Sequence, residues 1–575
     1  MKKTWDLNEL KSETATKEML NLADQIYSYK NKALTPQEII EIIQLQIKLG
    51  EMAGKHFSYY QLKFSENTSD KKTLACLNNL SHLSTQISDK TRFFSHNLLK
   101  KSNAELTKLI ELPELKPYKI YLQRIIKDKK YLLSEKIEQI ISYKSKAAST
   151  LSKLYDIHTN EYVYNTSFQK EMTEEELKKH TRSHNFDKRK ESYEALLSKY
   201  KQNENLLKEI YTGIVKDHYL EAVKIRKFKS SISPTNYDNE LTDKAVQALI
   251  KSVRKNNDLF IKYREIKAQI LGLDNSKKQS RYDLYQPFKL SKKYTLADSE
   301  KKLKSVVSQF HKDFEKQYDF LIASNHIHSH PKKNKRGGAF CLTPTANTIP
   351  YLMLNHVDDL NAYLTFSHET GHAIHYLLSA KQGELYNGAP TALAETASIF
   401  TETLAALNET TQGSDDEKIS TLMHLIDSEY ASIIRQTYFT VFEQKSHDAI
   451  QNTNAKDLND IYYETLKEQF PDMTIPKNFK YEWLHVPHMF HTPFYCYSYA
   501  FGNLLALSLY QKTQEDPSFK EKIIDLLRSG SKENTMDLLK KVDFNPEDEK
   551  QWDKGFLQIK KQIDMLQKIK EKLNQ

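Results

Sequence analysis

Apolar positions along the chain recur at three- and four-residue intervals, which predicts a molecule built almost entirely of amphipathic helices. LTPQEIIEIIQLQIKLGEM shows the pattern clearly, with Thr35 as N-cap and Pro36 at the first helical position. MTEEELKKHT opens in the same way, with Thr173 as cap and an acidic first turn. The helical period runs through residues 190–270 and, after the punctuated SRYDLYQPF, on to about residue 324. NHIHSHPKKNKRGG, residues 325–338, interrupts it and reads as a solvent-exposed loop carrying His326, His328 and His330.

The period then changes. GGAFCLT and TIPYLMLNHV are short β-prone runs flanking PTANT, the pattern of a strand pair. NAYLTFSHETGHAIHYLLSA returns to helical spacing over residues 361–380, and further helices lead to the charged amphipathic FLQIKKQIDMLQKIKEKL. The expected fold is mainly α, with a small β-sheet next to the 361–380 helix. The expected division is an N-terminal helical domain over 1–190 and a second domain over 191–575 that holds the chemistry.

Composition narrows the picture. Only 13 Gly and 15 Pro in 575 residues agree with long helices and brief connections. No run approaches eighteen uncharged apolar residues, so no membrane span is expected. MKKTWDLNELKSE lacks the apolar core of a secretory signal. Three cysteines, Cys76, Cys341 and Cys496, are odd in number and far apart, which suits a reducing compartment; a cytoplasmic location is the expectation. The net charge of +10 comes from 85 basic residues spread among 75 acidic ones. With no zinc-finger spacing, RNA-binding motif or long basic run, no nucleic-acid partner is expected. Nothing in the pattern specifies an oligomeric state.

The candidate chemistry lies in HETGH, residues 368–372. Four residues advance a helix by about 400°, so His368 and His372 project from one face and can share a metal ion. Glu369 falls beside that site, where it could activate a water; the pattern is that of a zinc hydrolase. Chance alone yields roughly one H-E-x-x-H in twenty chains of this composition, so context decides. Leu364, Phe366, Ala373, Ile374, Leu377 and Leu378 make the helix apolar, as a buried catalytic helix should be. A catalytic zinc normally takes three protein ligands and leaves one position open. A third His in H-E-x-x-H-x-x-G-x-x-H is excluded, because His375 and Leu378 occupy the Gly and final His positions. TALAETASIFTETLAAL supplies a carboxylate instead: Glu395, 23 residues beyond His372 (395 − 372), is the expected third ligand, ahead of Glu384 in the connecting loop. Glu402 or Ser398 could orient a ligand from behind, and His375 could support the pocket.

These segments resemble the oligoendopeptidase F branch of the thimet oligopeptidase family of zinc metallopeptidases. HETGHAIH followed by ALAETASIFTE carries the likeness. So do WDLNEL at 5–10, YDLYQP at 282–287, KRGGAFC at 335–341 and PHMFHTPFYCYSYAFG at 487–502. The likeness spans nearly the whole chain in matching order; the HIHSHPKKNK stretch is a departure. It implies a multi-helical, two-lobed metallopeptidase with a deep substrate channel, acting on short unfolded peptides. It further implies one Zn2+ per chain on His368, His372 and Glu395, with Glu369 as base. By the same resemblance His488 and Tyr497, with Tyr495 as companion, are the expected hydrogen-bond donors to the transition state. Two alternatives remain open on the residues alone: a zinc exopeptidase, and a helical scaffold with a structural metal.

Overall fold

The computed structural model describes residues 3–274, 278–288, 292–452 and 456–573, with residue 147 described by its backbone alone. The fold is mainly α, and among the described residues the named strands form one three-stranded sheet. The expected caps form. Thr35 closes a capping box with Glu38 on the helix Pro36–Glu66, and Thr173 does the same with Glu176 on Glu174–His180.

Packing groups the chain differently from one cut at residue 190. One compact unit comprises Met1–Leu132, Lys292–Ala405 and Asp516–Asp543; the other comprises Leu133–Ser291, Ala406–Glu515 and Phe544–Gln575. The physical reason is that an amphipathic stripe is satisfied by any complementary stripe, whatever its distance along the chain.

In the first unit, Met19 and Ile26 of helix Ala15–Tyr27 pack against Ile39, Ile42 and Ile43 of Pro36–Glu66, with Phe94 and Leu98 completing the layer. A second apolar cluster joins Trp5, Leu10 and Leu62 to Tyr351 and Met353, so the WDLNEL segment closes over the sheet. The Tyr351 hydroxyl fastens it, donating to the Asp6 carbonyl at 3.1 Å and to Glu9 at 2.9 Å.

The sheet order is β1 (Ile327–His328), β3 (Tyr351–Met353), β2 (Phe340–Leu342). β2 and β3 pair antiparallel, as the two apolar runs predict, with Cys341 opposite Leu352. β1 corrects an expectation: the stretch read as an exposed loop instead adds a parallel strand to β3. Leu352 N donates to the His326 carbonyl and Leu354 N to the His328 carbonyl, each at 2.9 Å. His326 and His328 are both buried, His326 stacked on Tyr351 at 3.9 Å and His328 edge-on to Trp5 at 5.2 Å. Polar composition concealed a strand whose imidazoles serve as flat aromatic cover. Lys335 completes the correction by donating from Nζ to the carbonyls of His328, His330 and Leu354, which ties the segment ahead of Gly337 and Gly338 to the sheet.

The second unit is helical. In it the YDLYQP segment anchors packing: Asp283 pairs with buried Arg189, and the Tyr282 ring lies against Tyr193 and Phe479. The final helix, Glu549–Leu573, lies so close to Tyr497–Glu515 that a Cβ on Gly555 would come within 2.8 Å of the Leu504 carbonyl.

Candidate metal centre

The helix Leu360–Ser379 carries HETGH, one residue offset from the expected 361–380. Asp359 starts it, accepting from Ala362 N at 2.7 Å. Leu364, Phe366, Ala373 and Ile374 are buried, which fixes the rotation of the helix and leaves His368 and His372 half-buried on one face. After a 3-10 turn, Thr391–Leu393, the helix Thr396–Thr411 begins, and Glu395 stands immediately before it.

Gly371 explains how the two segments meet. A Cβ there would lie 2.6 Å from both the Ala397 carbonyl oxygen and the Ser398 Cα, so only glycine permits this approach. The approach brings Glu395 over the histidines: its Oε2 is 3.2 Å from His368 Nε2 and 3.3 Å from His372 Nε2. Donors about 2.0–2.2 Å from one ion at tetrahedral angles lie roughly 3.3–3.5 Å apart, so this set fits a tetrahedral metal. Among the described residues it is the one His/Cys/Asp/Glu group close enough to share an ion.

Two neighbours orient these donors. His368 Nδ1–H donates to Glu402 Oε2 at 3.0 Å, which leaves the Nε2 lone pair facing the site. Ser398 Oγ donates to Glu395 Oε2 at 3.0 Å. The carboxylate between two imidazoles is held well below the usual range, and His368 is raised by Glu395 and Glu402 against the effect of its burial. Glu384 is engaged elsewhere, accepting from Ala346 N at 2.9 Å.

Glu369 is buried beside the donors, and desolvation pushes its carboxyl up while His368 and His372 pull it down. It borders a cavity of about 350 Å³ that also touches Ala339 and Cys341 on the sheet side, and His375 and Tyr376 on the helix side. His375 is buried and neutral, its pKa pushed down to about 3 by desolvation. β2 is one of the sheet's two edge strands, and Gly338 just before it has φ +75° with open space around it. Such an edge can pair with an extended peptide.

The C-terminal segment, within the second unit, resolves differently from expectation. His488 stacks parallel to Tyr495 at 5.7 Å, and His488 Nε2 is hydrogen-bonded to the Tyr499 hydroxyl at 3.1 Å. Tyr497 is not with them. It is fully buried and its phenol oxygen accepts from Asn239 Nδ2 at 2.7 Å, with burial raising its pKa. Tyr497 is therefore corrected from donor to core. Two residues along a helix is about 200° of rotation, so Tyr499 faces away from Tyr497. Tyr499 was missed in the sequence.

Known proteins resemble this chain over most of its length. Residues 179–557 match the profile of peptidase family M3, and residues 97–162 match that of oligopeptidase F. The plasmid-borne oligoendopeptidase F of Lactococcus lactis subsp. cremoris is 26% identical over 93% of this chain and 91% of its own. Oligopeptidase PepF of Bacillus subtilis is 26% identical over 94% of this chain and 83% of its own. Among solved structures, a protein of Chlamydophila abortus superposes with a TM-score of 0.87 at 23% identity, covering 98% of each chain. Oligoendopeptidase F of Enterococcus faecium gives 0.73 at 17% identity, covering 97% of this chain and 98% of that one. Both likenesses are of fold.

Proposed function

The chain belongs to peptidase family M3, and from that premise we propose how its own residues carry out peptide hydrolysis. It is a metalloendopeptidase acting on oligopeptides. We assign the metal as one zinc ion per chain, held by His368, His372 and Glu395. The observation carrying this reading is the convergence of both Nε2 atoms on Glu395 Oε2, with Glu369 alongside. Two imidazoles and a carboxylate form the donor set of a catalytic zinc with one position open. When bound, the ion polarises the scissile carbonyl and lowers the pKa of a water towards about 7.

The protein supplies the rest. Glu402 fixes the His368 tautomer, and Ser398 fixes the carboxylate. Glu369 takes the proton from the attacking water and returns it to the leaving amine, a role suited to a carboxyl raised by burial. The edge of β2 aligns the substrate backbone. By the family resemblance His488 and Tyr495 are the proposed donors to the oxyanion, and Tyr499 is hydrogen-bonded to His488 within the same cluster; losing one such donor typically costs about 3 to 4 kcal/mol. Short unfolded peptides in the cytoplasm are the proposed substrates. The three free cysteines support that compartment, and no helix among the described residues is long and apolar enough to cross a membrane.

The test is a length series of peptides blocked at both termini, assayed with and without a chelator, the products identified by mass. Internal cuts abolished by chelation and restored by zinc are expected. Cleavage confined to free-ended peptides would favour an exopeptidase instead.

A further inference from the structure

We propose that a second cavity, adjoining the metal site along helix Leu360–Ser379, receives one substrate side chain flanking the scissile bond and selects for an uncharged one. The proposal rests on the endopeptidase reading above and extends it to specificity.

The cavity has a volume of about 290 Å³ and shares two residues, Ala339 and Glu369, with the metal cavity. Its wall follows the helix away from the metal, through Thr365 and Asn361, while Gly338 and Leu354 close the sheet side. Thr365 lies one turn before Glu369, about 6 Å along the axis. An extended peptide advances about 3.4 Å per residue, so a side chain next to the bond attacked at Glu369 falls within reach. Ligand pockets start near 300 Å³, so this volume suits a single side chain rather than a whole ligand.

Chemistry sets the selection. Glu369, at the shared border, is the one formally charged residue in the lining, and no lysine or arginine lines the cavity to receive an acidic side chain. His356 is buried and occupied: its Nδ1 accepts from Asp358 N at 3.3 Å, and its Nε2 is hydrogen-bonded to Ser299 at 3.2 Å. Burial keeps it neutral. Asn355 is also committed, its amide donating to the carbonyls of Arg336 and Gly338 at 2.9 and 2.8 Å, which holds the glycine turn in place. At the rim Val357 is 60% exposed, an apolar surface that a substrate side chain would cover. An aliphatic or amide side chain fits; an aspartate or glutamate meets desolvation without a partner and the field of Glu369.

A peptide library varied at each position around the cut tests this with wild type, Thr365→Phe and Val357→Lys. Wild type is expected to disfavour Asp and Glu at one flanking position. Thr365→Phe should lower kcat/KM for Leu relative to Gly at that position by tenfold or more. Val357→Lys, a surface change that leaves the fold alone, should raise Glu relative to Leu there at least fivefold. Unchanged profiles, or losses shared equally by all positions, would overturn the subsite. Failure of wild type to cut blocked peptides at all would instead overturn the endopeptidase reading.

Discussion

Two histidine pairs in the same unit, His368/His372 and His326/His328, meet opposite fates. The first pair sits one helical turn apart and finds a single carboxylate oxygen at 3.2 and 3.3 Å. The second pair sits two residues apart, and its nearest carboxylates belong to different residues, Glu9 at 3.5 Å and Glu66 at 3.9 Å. His326 also donates from Nδ1 to the Ile349 carbonyl at 3.0 Å, and both rings are covered by aromatic side chains. A metal site needs donors that converge on one point. Histidines whose neighbours diverge become neutral aromatic packing, and burial pushes both pKa values down.

The contrast can be broken most strongly at Glu369. Glu369→Gln should lower kcat by about 10²- to 10⁴-fold while zinc content, read by atomic spectroscopy, stays at the wild-type value. Retained turnover would remove Glu369 as base. Next in size, Glu402→Ala should weaken metal binding by about 10- to 100-fold, because His368 loses the acceptor that fixes its tautomer. Competition against a fluorescent chelator measures it, and an unchanged affinity would make Glu402 a bystander.

Gly371→Ala probes the close approach that assembles the first pair. It should cost about 1 to 3 kcal/mol in denaturant unfolding and reduce zinc affinity along with it. Loss of stability without loss of metal would separate helix packing from ligand placement.

The smallest effect belongs to the second pair. Burial and the nearby Lys335 and Lys332 push the His328 pKa down to about 4. The unfolded chain therefore binds a proton that the folded chain refuses between about pH 6.5 and 4, and stability is lost as pH falls through that window. His328→Gln should remove about 1 to 2 kcal/mol of the decline between pH 7 and pH 5, with zinc content unaltered. Parallel stability curves for variant and wild type would show that His328 does not carry the effect.

The helices, their caps, the strand pair and the grouping of His368, His372 and Glu395 were legible because each rests on spacing within a short segment. Thr35, Thr173, His368, His372 and Glu395 all stand where periodicity and motif predict. The second pair was misread because a polar, lysine-rich composition does not announce that β3 has a free edge to fill. Tyr497 was misread for a related reason. Among closely spaced tyrosines, composition cannot say which meets Asn239, more than two hundred residues earlier in the chain.

By itself the sequence determined the helical class, the H-E-x-x-H pattern and which carboxylate stands beside the two histidines. These follow from a 3.6-residue period and from the ligand chemistry of imidazole and carboxylate. Tertiary structure alone decided that Gly371 must lack a side chain, that Tyr499 rather than Tyr497 accompanies His488, and that His326 and His328 are packing. Each of those outcomes depends on which distant segment arrives against a residue, and burial and partner choice are set only when the chain has packed.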